Sequence, residues 1–287
     1  MIGYLILVHR YPEQFKRLFN AIYDPRNFYV VHVDKNSGAA LNSEIETFLI
    51  PFANAAVLES KNALWGGYSL VDAELRGMKR LLAMNPDWSH FINLSGQDFP
   101  LKTQAQIRAF LIHNKDREFI KAEDQATVRP DTMHRLGEFV IERETTLTRQ
   151  MGSRAFLEGA TAYIGNQWMI VSRKFCAFVC TDPSVRRFEE FYRNTLIPDE
   201  GFFQTVLMNN DHAEVVNDDL RMIDWVPDGD IKLRPRTYVA ADFAALTASS
   251  NLFARKFDQF EDSEVLTLLE QRLATRVAAE QNCEIAA

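Results

Sequence analysis

Cysteine is nearly missing from this chain: Cys176, Cys180 and Cys283 are the only three in 287 residues. Their number is odd and no Cys-x-x-Cys pair occurs, so they supply neither a disulfide framework nor enough ligands for a zinc site. Cys176 and Cys180 stand four apart on an expected helix and read as core thiols, a usage that suits a reducing compartment. Long apolar runs are lacking too, and no stretch approaches the roughly 18 residues needed to cross a bilayer. The apolar start Met1–Val8 has no basic leader and stops at His9-Arg10-Tyr11-Pro12, so it reads as a first strand rather than a signal peptide. Positive charge is in deficit: the net charge is −7 and the pI near 5.5, which argues against general binding to nucleic acid or anionic membrane. No GxGxxG, GxxxxGK[ST], GxSxG or HExxH occurs, which lowers the dehydrogenase, P-loop, serine-hydrolase and zincin readings. Repeats, low-complexity runs and an obvious linker are likewise absent, so one domain over residues 1–287 is the economical expectation.

What is present is ordinary for a globular α/β protein: 47% hydrophobic and 25% charged residues, enough to build a sizeable core. Short apolar runs predict strands at 3–8, 28–33, 55–59, 90–94 and 166–172. Helices are expected at 12–23, 42–50, 68–84, 103–113, 173–181, 184–194, 200–208, 240–247 and 262–279. In 68–84, Leu70, Val71, Leu75, Met78, Leu81 and Leu82 recur at helical spacing. The β-α-β-α rhythm of the first half implies a largely parallel sheet with a nucleotide-sized crevice at the carboxyl ends of its strands. Segment 114–160, charged and weakly periodic, reads as an excursion over that face; 217–237 reads as irregular or short-strand structure.

Four constellations and one lone acid carry candidate chemistry. Asp98 ends the strand in Ser89–Thr103 (SHFINLSGQDFPLKT) and is either a site acid or a turn cap. Tyr29–Asp34 is a strand ending in Asp; Asp34 suits a ribose or base ring N–H, His32-x-Asp34 suits a metal, and a strand-end turn with Lys35-Asn36-Ser37 explains the acid equally well. In Leu64-Trp65-Gly66-Gly67-Tyr68-Ser69, Trp65 either stacks on a base or packs beside a loop. In Thr195–Phe203 (TLIPDEGFF), Asp199 and Glu200 sit in the expected first turn of a helix, where its dipole stabilises them; the functional alternative makes Glu200 a general base. Arg255-Lys256, between Phe253 and Phe257 and preceded by Arg234 and Arg236, either binds a diphosphate or faces the abundant surface acids.

The order and wording of these phrases decide more than any one of them. From Tyr4 to about Asp258 the chain resembles the core 2/I-branching β-1,6-N-acetylglucosaminyltransferase and peptide O-xylosyltransferase family. The matching phrases are YLILVHR, LFNAIYDPRNFYVVHVDKNS, WGGYSLVDAEL, FINLSGQDFPLKT, GNQWMIVSRKF, TLIPDEGFFQTVL and NLFARKFD. WGGYSL, TLIPDEGFFQTVL and ARKF look closer to the xylosyltransferase branch.

The resemblance implies a glycosyltransferase-A type fold, a Rossmann-like mixed sheet flanked by helices in a single domain. Residues 1–113 would mainly bind the nucleotide, 114–261 would mainly hold the acceptor and the catalytic groups, and 262–287 would form a C-terminal helix. It implies inverting transfer of xylose or N-acetylglucosamine from a UDP-sugar to a glycan hydroxyl, without a cofactor and without the divalent metal that most enzymes of this fold use. Carried over by residue, Val8, Asp34 and Trp65 lie where the family holds uridine. Glu200 matches the catalytic base, and Arg255 and Lys256 match the pair that neutralises the leaving diphosphate. Arg234 or Arg236 matches a further arginine, and Trp225 falls where an acceptor sugar meets an aromatic platform. Asp98 occupies the position where metal-using relatives carry their acidic motif. The expected partners are a UDP-sugar and a glycan or glycoconjugate acceptor; nucleic acid is not one, and association with a membrane would be peripheral. Few cysteines, no anchor and an immediate start at the first strand point to a bacterial, cytoplasmic version. The rivals are a metal-dependent nucleotide-sugar hydrolase using Asp34 and Asp98, and a non-catalytic glycan- or nucleotide-binding protein.

Overall fold

The computed structural model describes residues 1–150, 153–210, 214–229 and 232–285. The chain divides into two compact units, each assembled from three stretches. One comprises Met1–His9, Arg26–Asn93 and Lys115–Asp219, and the other Arg10–Pro25, Leu94–Asn114 and Leu220–Ala287. Both draw on chain from either side of residue 114.

The first unit is built on a seven-stranded sheet. From edge to edge it runs Glu214–Val216, Arg117–Ile120, Met169–Ser172, His90–Ser95, Ile2–Val8, Phe28–Val33 and Ala55–Val57. Every residue of Ile2–Val8 is buried, as expected of an unbroken apolar run covered on both faces. Ile2–Val8 pairs in parallel with Phe28–Val33, which pairs in parallel with Ala55–Val57. Met169–Ser172 is antiparallel to both its neighbours, which makes the sheet mixed. Helix Ser69–Met84 buries Val71, Leu75, Met78 and Leu81 of the expected stripe, and Ala73 besides, while Leu70 and Leu82 are half-buried. Gly77 lets it approach the sheet: a Cβ there would lie 2.7 Å from the Leu5 side chain.

Two strands of the seven-stranded sheet escaped the sequence pattern. Arg117–Ile120 opens with charged residues, yet Glu118 is buried and accepts from both the amide and the hydroxyl of Ser172. That satisfaction is what lets a carboxylate lie inside a sheet edge. Arg117–Ile120 carries Glu214–Val216 in parallel at the edge. The strand expected from residue 166 starts at Met169, because Asn166 Oδ1 takes the Trp168 amide at 3.1 Å and bends the chain there. The rest of the segment expected as an excursion holds short helical turns and a hairpin, Phe139–Glu142 with Leu147–Gln150. Helix Arg173–Thr181 starts on Ser172, whose hydroxyl accepts the Phe175 amide. It carries Cys176 and Cys180 as free thiols. Burial pushes the Cys180 thiol up to about 11. The Cys283 side chain lies outside the described residues.

The second unit has a three-stranded sheet in the order Arg221–Ile223, Phe253–Arg255, Asp98–Pro100. Helix Pro12–Ile22 buries Phe15, Leu18, Phe19 and Ile22. Helix Gln104–His113 starts at a capping box in which Thr103 and Gln106 satisfy each other's amides. Segment 217–237 contains the hairpin Trp225–Asp228 with Lys232–Pro235. The long terminal helix runs Glu264–Ile285 and buries Val265, Leu266, Leu269 and Leu273. Among the described residues no helix is long and apolar enough to cross a membrane.

Candidate functional site

In the first unit, three loops meet at the strand ends. Val8 is buried at the end of the first strand. Its carbonyl accepts the Asp34 amide at 2.8 Å. Asp34 Oδ1 accepts the amides of Asn36 at 3.1 Å and Ala63 at 3.0 Å. The carboxylate therefore does close the strand-end turn, and it also tethers the loop that carries Trp65. Trp65 is 66% exposed. Much of the ring surface is therefore open to solvent, where a ligand could meet it. Gly66, at φ 79°, makes the left-handed turn beside it. Its carbonyl accepts the Ile197 amide at 2.9 Å, which joins the Trp65 loop to the Glu200 loop. Glu142 accepts the Ser69 amide and hydroxyl, fastening the hairpin Phe139–Gln150 to the start of helix Ser69–Met84. His32 is buried, and its ring is pushed down to about 4, first by burial and then by Arg76.

Glu200 does not open a continuous helix, as its dipole reading required. Pro198–Glu200 is a separate 3₁₀ turn, and the helix runs Phe202–Met208. Ile197 before it adopts φ 52°, ψ 55°. A β-branched residue in that region costs about 1–3 kcal/mol. Burial of Phe202, Phe203, Val206 and Leu207 holds the turn in place. The Glu200 side chain is 29% exposed and its Oε2 accepts from Arg135 Nη1 at 2.8 Å. Both face a small pocket with Gln125, Ile164, Tyr192, Thr195 and Leu196. Arg135 is a site residue the sequence reading missed. Its one trace is the basic cluster Arg129, His134 and Arg135 in the weakly periodic segment. Asp199 is buried, and its carboxyl is pushed up to about 7 by burial and then by the charge of Glu200.

In the second unit, register places the cations. Arg255 stands opposite Asp98 in the antiparallel pair, and its Nη1 donates to Asp98 Oδ1 at 3.0 Å. Asp98 Oδ2 accepts the Ser95 amide at 2.9 Å and lies 3.7 Å from Arg221 Nε. The side chains of Asp98 and Arg221 are fully buried. Asp98 thus caps its own turn and also fixes Arg255. Lys256 follows Arg255 across a cis peptide bond. Burial, then the charges of Arg10 and Arg255, hold its ammonium below the usual lysine value, while Asp258 opposes them. Arg10 is a further cation that the sequence reading passed over. Its Nη2 donates to Gln97 Oε1 at 3.0 Å and lies 3.9 Å from Asp258 Oδ2. Gln14 binds the carbonyls of Gly96 and Phe257, each at 3.0 Å, and laces these loops together.

The remaining candidates are placed differently. Arg236 gives its guanidinium to Asp224 and Asp242, each at 2.8 Å. Arg234 is exposed on its hairpin, 3.7 Å from Asp228. Trp225, 43% exposed, begins that hairpin in register with Pro235. Among the described residues, no three His, Cys, Asp or Glu side chains are grouped to hold a metal ion.

A mixed sheet flanked by helices, with acids and an exposed aromatic at its strand ends, defines the glycosyltransferase-A class of architecture. The chain belongs to the Core-2/I-Branching enzyme family, which residues 2–249 match. It is similar to Xylosyltransferase 1 of Rattus norvegicus, 33% identical over 291 residues covering 95% of this chain and 35% of that protein. Xylosyltransferase 2 of Mus musculus is likewise 33% identical over 291 residues, covering 95% of this chain and 33% of its own length. The chain spans about a third of the length of these curated relatives. The crystal structure of mouse Xyloside xylosyltransferase 1 in its apo form aligns with a TM-score of 0.35 and 12% identity over 75% of this chain and 84% of that one.

Proposed function

We propose that this chain is an inverting glycosyltransferase that moves a sugar from a UDP-sugar to a hydroxyl of a glycan. The similarity to xylosyltransferases makes xylose the first donor to test and N-acetylglucosamine the second. The observation that carries the reading is Glu200: a half-buried carboxylate on a strained turn, oriented by Arg135 and open to a pocket. Such a group can take the proton of an acceptor hydroxyl. The hydroxyl oxygen then attacks C1 of the donor sugar, the bond from C1 to the β-phosphate oxygen breaks, and UDP departs with that electron pair. Single displacement inverts the anomeric centre and needs no carboxylate nucleophile. Arg255 and Lys256 serve as preorganised cations for the leaving diphosphate, in place of a divalent metal. Asp98 acts through Arg255 rather than on the ligand. Asp34, Val8 and Trp65 hold the uridine, Trp225 offers a platform to the acceptor, and Arg234 is an exposed outer cation. Free thiols at Cys176 and Cys180 suit work in the cytoplasm, where nucleotide sugars are made.

Calorimetric titration with UDP, UDP-xylose, UDP-N-acetylglucosamine and UDP-glucose, each with and without EDTA, tests this reading. Binding of one UDP-sugar that survives EDTA is expected. Binding lost with EDTA would turn the reading toward metal-dependent nucleotide-sugar chemistry, and no binding of any UDP compound would end it.

A further inference from the structure

An acid is fastened among the cations of the second unit. Asp258 follows Lys256 by two positions, and its side chain is 16% exposed. Its Oδ1 accepts the Phe260 amide at 3.0 Å. Its Oδ2 accepts from the Tyr11 hydroxyl at 3.0 Å and lies 3.9 Å from Arg10 Nη2. At that separation the two groups attract by charge, and neither spends a hydrogen bond on the other. The residues on either side of Asp258 are pinned as well. The Phe257 amide donates to the Gln97 carbonyl at 2.9 Å, and the Gln259 amide to Gln14 Oε1 at 2.8 Å. The carboxylate is thus held in place and cannot follow a moving cation. Tyr11 meets it from a left-handed backbone, φ 57° and ψ 69°, a conformation that strains any residue but glycine. Arg10 lies over the Tyr11 ring, 4.6 Å from its centroid, and donates to Gln97 Oε1 at 3.0 Å.

We propose that Asp258 is a built-in counter-ion: it offsets the charge of Arg10 and Lys256 and so limits how tightly these cations hold the diphosphate of UDP. The proposal rests on the reading that Arg255 and Lys256 take that diphosphate. Fixed beside the cations, Asp258 repels the same phosphates that they attract. A cluster without it would bind the product more tightly and release it more slowly. The charges around Lys256 agree: Asp258 raises its ammonium, against burial and the charges of Arg10, Arg255 and Arg234, which lower it. An Asp258 that only holds Tyr11 and Arg10 in position predicts the opposite sign, because its loss would loosen the site.

Asp258→Asn removes the charge, keeps the size and can still meet the Phe260 amide and the Tyr11 hydroxyl. In calorimetric titration at low salt, UDP and inorganic pyrophosphate should bind this variant about threefold to tenfold more tightly than wild type. Uridine, which carries no phosphate, should bind both proteins alike. The gain for UDP should shrink in about 0.5 M NaCl, where exposed charges are screened. Asp258→Ala carries the same expectation and serves if the Asn protein does not fold. Unchanged or weaker binding of UDP and pyrophosphate by a folded variant overturns the counter-ion. A gain shared by uridine overturns it too, since the loops rather than the charge have then changed. If no protein binds UDP or uridine while pyrophosphate still tightens in the variant, the UDP-sugar reading falls and the counter-ion stands. No binding of any of the three ligands ends both.

Discussion

Glu200 and Arg135 form the contact on which the proposed chemistry turns. Replacing Glu200 by Gln keeps the size and removes the proton acceptor. Transfer should fall about 100- to 10,000-fold, while UDP affinity measured by calorimetry stays within about twofold of wild type. Near-normal turnover would remove Glu200 from the mechanism. The cations make a separate prediction. Lys256 sits below the usual lysine value first because it is half-buried and then because of the charges of Arg10 and Arg255, and an arriving diphosphate would offset the charge part. Lys256→Ala should weaken UDP binding about tenfold or more, and Arg10→Gln by about threefold to tenfold. Uridine, which lacks phosphate, should bind all three proteins alike. Equal losses for UDP and uridine would mean that these residues only hold the loops together. Asp34, Trp65, Arg255 and Lys256 were legible as candidates because each has a local signature: a strand-end acid, an aromatic beside paired glycines, a basic doublet between phenylalanines. Arg135 and Arg10 have none, since their partners lie 65 and 87 positions away.

Between elements, two joints carry consequences. The antiparallel register that sets Arg255 against Asp98, with Arg221 on the other side, buries a carboxylate between two guanidinium groups. Asp98→Asn removes the buried charge that both guanidinium groups approach and should cost about 3–5 kcal/mol in urea denaturation. A cost below about 1 kcal/mol would show that water or a neighbour replaces the ion pair. The second joint is Gly67, where a Cβ would come within 2.5 Å of the Glu142 carboxyl carbon. Gly67→Ala should drive Glu142 off the Ser69 amide and lose about 1 kcal/mol of N-terminal capping. Because the damage works through Glu142, the same change should cost little in a Glu142→Ala background, and a double-mutant cycle measures the difference. Fully additive costs would place the strain elsewhere. The strands Arg117–Ile120 and Glu214–Val216 stayed hidden at this scale: Glu118 looks like a surface residue until Ser172 is seen to satisfy it.

Over the whole molecule, buried titrating groups set opposite slopes on stability. His32 has a folded value near 4 against 6.5 unfolded. A base depressed by burial contributes stability that is lost as pH falls through that window, here up to about 3 kcal/mol. The raised carboxyls Asp199, Glu74 and Glu118 pull the other way as pH rises. The raised carboxyls outnumber the one depressed imidazole, so thermal scans should show stability falling from about pH 5 to about pH 7, and falling more steeply in His32→Gln; a slope unchanged by that substitution would remove His32 from the balance. What the sequence alone determined is the alternation of buried strands and amphipathic helices, because burial on both faces and a 3.6-residue stripe are local properties of the chain. It also carried the family resemblance, because the quoted phrases are linear. The tertiary structure alone decided the antiparallel placement of Met169–Ser172 in a mixed sheet, the separate turn under Glu200, and the partners of Glu200 and Lys256. Those depend on pairing register and on contacts between residues far apart in the chain, which no local pattern encodes.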